Sequence, residues 1–185
     1  MKNNKDQNME SIIEKQIGRK PKGMVEVSLK CPFGYPAVIK VFPFSKERVF
    51  PTTYWLTCPY LQKEISVLED KGWIESLQDL IDDNEKTETK LKRAHQNYAK
   101  ERFEMLDKKQ KKKMKGISDN IFNTLKNSGI GGVKDKKGLK CLHTHVADYL
   151  VNRINPVGER VFQHINWPDT CIICKEMESN EKSSN

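Results

Sequence analysis

The side chains in this sequence best suited to chemistry are its five cysteines, which stand at the boundaries of predicted helices and strands: Cys31, Cys58, Cys141, Cys171 and Cys174. Cysteine thiolates bind zinc and iron–sulfur clusters, and they are also the nucleophiles of cysteine enzymes. The chain begins without the apolar run of a secretory signal, and its cysteine count is odd, which together favour free thiols or metal ligands over disulfides. For any one cysteine, the ordinary alternative is a small buried hydrophobic role.

Two of the cysteines share a Cys-Pro pattern. Cys31 precedes Pro32, and Cys58 precedes Pro59. Proline removes a competing backbone donor next to the sulfur, and Cys-Pro recurs beside iron–sulfur clusters. If Pro59 is the first residue of a helix, Cys58 is its N-cap, where free N–H groups and the helix dipole favour a thiolate. The apolar spacing after Cys141 predicts the same helix-mouth position for that residue.

These observations predict one metal centre. Its ligands would be Cys31, Cys58 and Cys141, with Cys171 and Cys174 as competing fourth ligands. The group bound would be a [4Fe–4S] cluster or, as a variant, a structural zinc ion. The spacings of 27, 83 and 30 residues match no compact metal motif, so the site must be assembled from distant segments, and a protein without metal stays open.

The histidines suggest a second kind of chemistry. On the predicted helix after Cys141, His143 falls on the apolar face, which indicates a core or second-shell residue. His145 falls with Asp148 and Cys141, a trio that could be a second-shell or acid–base group, although the polar outer face of the helix is favoured. A nucleophilic Cys58 or Cys141 with either histidine as base would make a cysteine enzyme, but no family signature of such an enzyme is present. Whether the protein is an enzyme is left open.

The positive charge is concentrated in one segment. The chain has 33 basic and 25 acidic residues, a net charge of +8, and residues 86–140 hold 17 of the basic residues against 6 acidic ones. This segment includes Lys111, Lys112 and Lys113. It predicts an alternative function, a metal-free interaction module that binds nucleic acid or an acidic protein partner. No nucleic-acid-binding motif accompanies the lysines.

Periodicity and turn residues predict a mostly α, α+β fold. Three runs alternate or are β-prone, around residues 24–29, 37–42 and 52–56, and indicate a small N-terminal antiparallel β element of two or three short strands. Five or six helices follow. Two begin at Pro59 and near Trp73, and a longer charged helix reaches about Met114. The others begin at Ser118, near Cys141 and at Asn155–Pro156.

One domain is expected over residues 24–174, including a lysine-rich helix end and loop at 108–140. Residues 1–23 are predicted to be a disordered or weakly helical lead, and residues 175–185 a disordered tail. No apolar run approaches the roughly 18 residues of a membrane span. Together with the lack of a secretory signal, this favours the cytoplasm.

Several longer segments resemble a known family. CPFGYPAVIK, PTTYWLTCPYLQKEISVLE, NSGIGGV, KCLHTHVADYL and NPVGE, in this order, are similar to the uncharacterised bacterial family catalogued as domain of unknown function 501. The resemblance runs from about Val25 to Cys174 and implies no particular activity. It does single out positions in the matched motifs: Cys31, Pro32, Gly34, Pro36, Thr57, Cys58, Pro59, Cys141, His143, Asn155, Pro156 and Gly158.

Overall fold

Nine α-helices and a three-stranded antiparallel sheet make up most of the described chain, residues 4–45 and 48–182, in this computed structural model. The strands are β1 (Met24–Lys30), β2 (Pro36–Val41), β3 (Phe44–Ser45), β4 (Arg48–Val49) and β5 (Tyr54–Leu56). The helices are α1 (Asn4–Ile17), α2 (Pro59–Asp70), α3 (Trp73–Asp82), α4 (Glu85–Glu104), α5 (Lys108–Ile117), α6 (Asp119–Asn127), α7 (Leu142–Asn152), α8 (Pro156–Ile165) and α9 (Ile173–Lys182), with a 3₁₀ turn at Ile130–Gly132.

The sheet has the order β1-β2-β5, with Val38 opposite Leu56 and Ile39 opposite Trp55. Helices cover both faces of β2, so its side chains are almost all buried. Val38 faces the main helical core, and Ile39 packs with Ile13 of α1 on the opposite face. The predicted small antiparallel element is confirmed. The short β3–β4 hairpin is an addition to it.

The helix count differs from the prediction of five or six. Two of the extra helices are α1, where the sequence predicts a disordered or weakly helical lead, and α9, most of which falls in the predicted disordered tail. Their sequences are polar, yet Ile12 and Ile13 of α1 are fully buried, because the helix docks on the sheet and on α9. Tertiary packing therefore stabilises a helix that its own propensity does not specify.

The third extra helix arises from a break in the predicted long helix. Instead of continuing to Met114, α4 ends at Glu104, and α5 begins again at Lys108. Asp107 accepts a hydrogen bond from the Gln110 N–H, while the Gln110 side chain accepts one from the Asp107 N–H. This capping box starts a new helix and places Lys111, Lys112 and Lys113 on it.

α7 lies at the centre of the helical layer. It packs against β5, α8, α2 and the 3₁₀ turn. Because it is covered on several sides, its polar residues His145 and Asp148 are buried together with its apolar face. The prediction that His145 lies on an outer polar face is therefore wrong.

No helix within residues 4–45 and 48–182 is both long enough and apolar enough to cross a membrane.

Candidate metal centre

Four of the five cysteines line one cavity, here called the cysteine cavity: Cys31, Cys58, Cys171 and Cys174. They come from three separate segments. Cys31 lies in the β1–β2 loop, Cys58 lies between β5 and α2, and the last two lie before and within the first turn of α9. All four are free thiols.

The β1–β2 loop positions Cys31 by a tight turn. The Cys31 carbonyl accepts a hydrogen bond from the Gly34 N–H (2.9 Å), and the Cys31 N–H donates to the Tyr35 carbonyl (2.8 Å). Gly34 has a φ of 85°, a left-handed conformation that glycine adopts without strain. This turn holds Cys31, which directly follows β1, close to the start of β2.

Cys58 is held at the junction between the sheet and α2. The N–H groups of Thr57 and Cys58 both donate to the Ala37 carbonyl of β2, at 2.8 and 3.4 Å. Pro59 occupies the first turn of α2, and Cys58 is its N-cap, as the sequence predicts. Pro59 also lines the cavity, whereas Pro32 lies in the adjoining turn, next to Cys31.

The two terminal helices bring Cys174 to the same place. The Gln16 side chain of α1 donates hydrogen bonds to the Cys174 sulfur (3.3 Å) and to the Pro36 carbonyl (2.9 Å). The Tyr35 hydroxyl donates to Glu178 of α9 (3.0 Å). These contacts tie α1, α9 and the start of β2 together around the cavity.

The remaining lining of the cysteine cavity is apolar and aromatic. Its members are Phe33, Tyr35, Pro36, Pro59, Tyr60, Trp167, Pro168 and Ile173. Cys58 and Cys174 are buried, each 6% exposed, whereas Cys31 and Cys171 are partly exposed. The cavity therefore has an interior side and a side near the surface.

Burial changes the acid–base behaviour of Cys58. It raises the pKa of this thiol to about 12, and the neighbouring Cys31 and Cys174 raise it further, while the N–H groups of Leu61 and Tyr60 oppose the shift. The N-cap position was predicted to favour a thiolate. Without a bound cation, desolvation outweighs the helix terminus, and Cys58 stays a thiol.

Cys141 lies elsewhere, in what we call the Cys141 cluster: Glu69, Cys141 and His143. Cys141 is the N-cap of α7, as predicted, and meets the last turn of α2. Cys58 and Glu69 stand at opposite ends of α2, 11 residues or about 16 Å apart along the helix. The structure thus groups the cysteines differently from the sequence prediction, and Cys171 and Cys174, predicted as competitors, both line the cysteine cavity.

Within the Cys141 cluster, the His143 Nδ1 atom lies 3.5 Å from the Cys141 sulfur and 3.3 Å from a Glu69 carboxylate oxygen. His143 is partly exposed, although the sequence favoured a core position. Burial opposes its charge, but Cys141, Glu69 and the Gln62 carbonyl together raise its pKa to about 9. The sequence suggests Cys58 or Cys141 as a nucleophile with His143 or His145 as its base, and the structure brings Cys141 and His143 together.

The other predicted base, His145, has a different environment. It is fully buried, and its Nδ1 atom lies 3.1 Å from the Asn155 side-chain nitrogen. Burial lowers its pKa to about 4, so it is neutral at physiological pH.

The basic residues lie on another part of the surface. Lys112 and Lys113 of α5 are exposed, and the Lys111 ammonium lies 4.5 Å from the centre of the Phe103 ring. The interaction with nucleic acid or an acidic partner through these lysines stays a prediction.

Sequence reasoning missed Glu69 and Gln16, which contact the two cysteine sites. Glu69 is 72 residues from Cys141, and Gln16 is 158 residues from Cys174. Neither residue belongs to a local motif that includes a cysteine, so no sequence signal links them to the sites.

The chain belongs to a family described as Protein of unknown function (DUF501), whose model matches residues 27–163. This confirms the resemblance noted from the sequence. The match includes Cys31, Cys58 and Cys141 and stops before Cys171 and Cys174. Comparison with curated proteins and with solved structures found no match.

Proposed function

We propose that this protein is an iron–sulfur protein whose cluster is bound by Cys31, Cys58, Cys171 and Cys174. The observation that carries the proposal is that these four thiols line one cavity although they span 143 residues of sequence. Four cysteine thiolates are the usual ligand set of a [4Fe–4S] cluster. Chance burial of four separate cysteines would not require them to share a cavity.

The four sulfur atoms are not grouped closely enough to bind a single zinc ion without movement. Thiolates around one tetrahedral zinc lie about 3.8 Å apart, given Zn–S bonds of about 2.3 Å. Among the described residues, no three cysteine sulfurs lie within 4.8 Å of one another. In a [4Fe–4S] cluster each thiolate binds a different iron atom, so the sulfurs stand farther apart.

The surroundings of the cavity also suit a cluster. Aromatic and proline side chains form most of its remaining lining, and the Gln16 amide donates a hydrogen bond to the Cys174 sulfur. Hydrogen bonds to the sulfurs and limited solvent exposure are the means by which a protein sets a cluster's reduction potential.

Anaerobic purification of the full chain tests the proposal. We expect a brown protein with a broad absorbance band at about 400 nm and about four iron and four sulfide per chain. Bleaching of this band by dithionite, followed by recovery on oxidation, would indicate a redox role. Absence of iron after anaerobic purification and reconstitution would contradict the proposal, and one zinc bound by four thiolates would replace the cluster with a structural ion.

Single cysteine variants test the ligand assignment. Cys58→Ser and Cys174→Ser should lose the cluster, because each removes a buried ligand. Cys141→Ser is the matched control and should retain it, since this residue lies at the far end of α2. Loss of iron in Cys141→Ser, with retention in Cys174→Ser, would instead support the ligand set predicted from the sequence.

A further inference from the structure

The Cys141 cluster brings three different metal-binding groups together outside the cysteine cavity. A carboxylate oxygen of Glu69, the sulfur of Cys141 and Nδ1 of His143 all lie within 4.8 Å of one another. Within the described part of the chain, no other set of three histidine, cysteine or acidic side chains meets this condition. The cluster joins the last turn of α2 to the first turn of α7.

Two of the three distances between the donor atoms match the edges of a zinc tetrahedron. Bonds of about 2.3 Å to sulfur and about 2.0–2.2 Å to nitrogen and oxygen put the sulfur about 3.6 Å from the nitrogen and the nitrogen about 3.4 Å from the oxygen. The observed distances are 3.5 Å from Cys141 to His143 and 3.3 Å from His143 to Glu69. These two distances therefore already suit one shared cation, and the third, from the Cys141 sulfur to the Glu69 oxygen, is within 4.8 Å.

The contacts behind the cluster are those of a metal-binding histidine. The second ring nitrogen of His143, Nε2, lies 3.1 Å from the Gln62 carbonyl oxygen, to which it donates its hydrogen. Nδ1 is the ring nitrogen that faces Cys141 and Glu69, and a bound cation would take the place of its proton. Metal-bound histidines almost always donate their other N–H to a carbonyl or carboxylate in this way.

The carboxylate is oriented as well. The Leu142 N–H, at the start of α7, donates to the Glu69 oxygen that faces His143, at 2.6 Å. Glu69 is therefore held by the same helix end that carries Cys141 and His143. Such outer contacts keep ligands in place before a metal arrives.

We propose that Glu69, Cys141 and His143 bind a zinc ion and leave its fourth coordination position open to solvent. The mixed sulfur, nitrogen and oxygen donors suit zinc and disfavour magnesium or calcium. The Glu69 and His143 side chains are 23% and 24% exposed, so one side of the site faces water. Three protein ligands with an open position are the arrangement of catalytic zinc sites, in which a bound water becomes a nucleophile.

Zinc binding to the full chain tests this site separately from the cysteine cavity. The measurement is made in a Cys171→Ser/Cys174→Ser background, which removes two thiols from the cavity and leaves the Cys141 cluster intact. Titration of metal-free protein with zinc against a chromophoric chelator should reveal one tight site. Zinc X-ray absorption should show a single sulfur ligand with lighter nitrogen and oxygen neighbours.

Ligand variants in the same background complete the test. Glu69→Gln, Cys141→Ser and His143→Gln should each weaken zinc binding by more than the 10–100-fold that changes in outer contacts cost. Asp70→Asn is the matched control, because this neighbouring carboxylate is exposed and lies outside the cluster. Cobalt in place of zinc should give a thiolate-to-cobalt band that Cys141→Ser abolishes.

Absence of tight zinc binding in the background protein would overturn the proposal. So would zinc affinity that is unchanged by both Cys141→Ser and His143→Gln. Neither result depends on whether iron binds in the cysteine cavity. The two proposed metal sites are therefore tested independently of each other.

Discussion

Cys58 and Cys141 occupy the same local position, the N-cap of a helix, and yet meet opposite surroundings. Cys58 is buried among aromatic residues and other thiols, and its pKa is raised to about 12. Cys141 is partly exposed beside a carboxylate and an imidazole. Neither side chain makes a capping hydrogen bond. A cysteine at a helix start therefore acquires its chemistry from the segments packed against it, and the helix terminus alone does not decide it.

The largest expected difference between the two sites is in thiol reactivity. In metal-free, reduced protein at pH 8, iodoacetamide should label Cys58 roughly a thousandfold more slowly than an ordinary exposed cysteine, since a pKa of about 12 leaves about one thiolate in ten thousand. Cys141, which is partly exposed, should be labelled well before Cys58. Peptide mass spectrometry over time measures both rates, and equal rates would mean that the two environments do not differ as described.

The close packing of α7 and α8 connects the two sites, because α7 begins at the Cys141 cluster and α8 leads to Trp167 of the cysteine cavity. Gly158 makes this packing feasible. A Cβ there would meet the His145 carbonyl oxygen and lie 2.5 Å from the Tyr149 Cβ. Gly158→Ala should therefore reduce the free energy of unfolding by about 3 kcal/mol or more.

Chemical denaturation measures this change. Gly116→Ala is the control, since a Cβ at that helical position meets nothing within 4 Å, and it should be neutral or slightly stabilising. A tolerated Gly158→Ala would show that the two helices can separate without loss.

The histidines extend the comparison. His143 has a raised pKa, so its contribution to stability is full below pH 6.5 and is lost as pH rises through about 9. His95 is the opposite case: it is fully buried, accepts a hydrogen bond from the Ile130 N–H, and burial lowers its pKa to about 3. Its contribution is full above pH 6.5 and falls as the unfolded chain takes up a proton.

Between pH 7 and pH 5, His95 should account for about 2 kcal/mol of lost stability. His95→Gln should remove this part of the pH dependence while the part due to His145 remains. Denaturation curves at both pH values give the slope directly. An unchanged slope in His95→Gln would mean that this imidazole takes up its proton in the folded state.

The smallest expected effect concerns capping itself. Asn155, the N-cap of α8, accepts hydrogen bonds from the N–H groups of Val157 and Gly158 and donates to Asp148. Asn155→Ala should therefore cost about 2 kcal/mol. Cys141→Ala should cost less than about 1 kcal/mol in metal-free protein, because its sulfur caps nothing.

Thermal or denaturant unfolding of the two alanine variants makes this comparison. If Cys141→Ala were as costly as Asn155→Ala, the thiol would have a structural role at the helix start that competes with a ligand role.

Much of the fold followed from local signals. Pro59 after Cys58, and Pro156 after Asn155, predicted the starts of α2 and α8, and Gly72 predicted the end of α2. These signals work because capping and proline sterics act within three or four residues. The Asp107–Gln110 capping box is equally local and was present in the sequence, although the lysine-rich pattern favoured one long helix.

Such local signals could not predict other parts of the fold. α1 is polar along most of its length, and only docking on β2 and α9 buries Ile12 and Ile13. The sequence pattern places His145 on an outer face, because periodicity identifies only one apolar stripe. In the structure, α7 is covered on several sides. The number of neighbours around a helix is a tertiary property.

The sequence by itself determined the local position of the candidate cysteines, including Cys58 and Cys141 at the starts of helices. The tertiary structure alone decided the partners, since it brought Cys31, Cys58, Cys171 and Cys174 to one cavity and Cys141 to Glu69 and His143. The physical reason is the distance along the sequence over which each kind of interaction acts. Helix starts are specified by hydrogen bonds between near neighbours, whereas these sites join segments 27 to 143 residues apart through packing of helices on a common sheet.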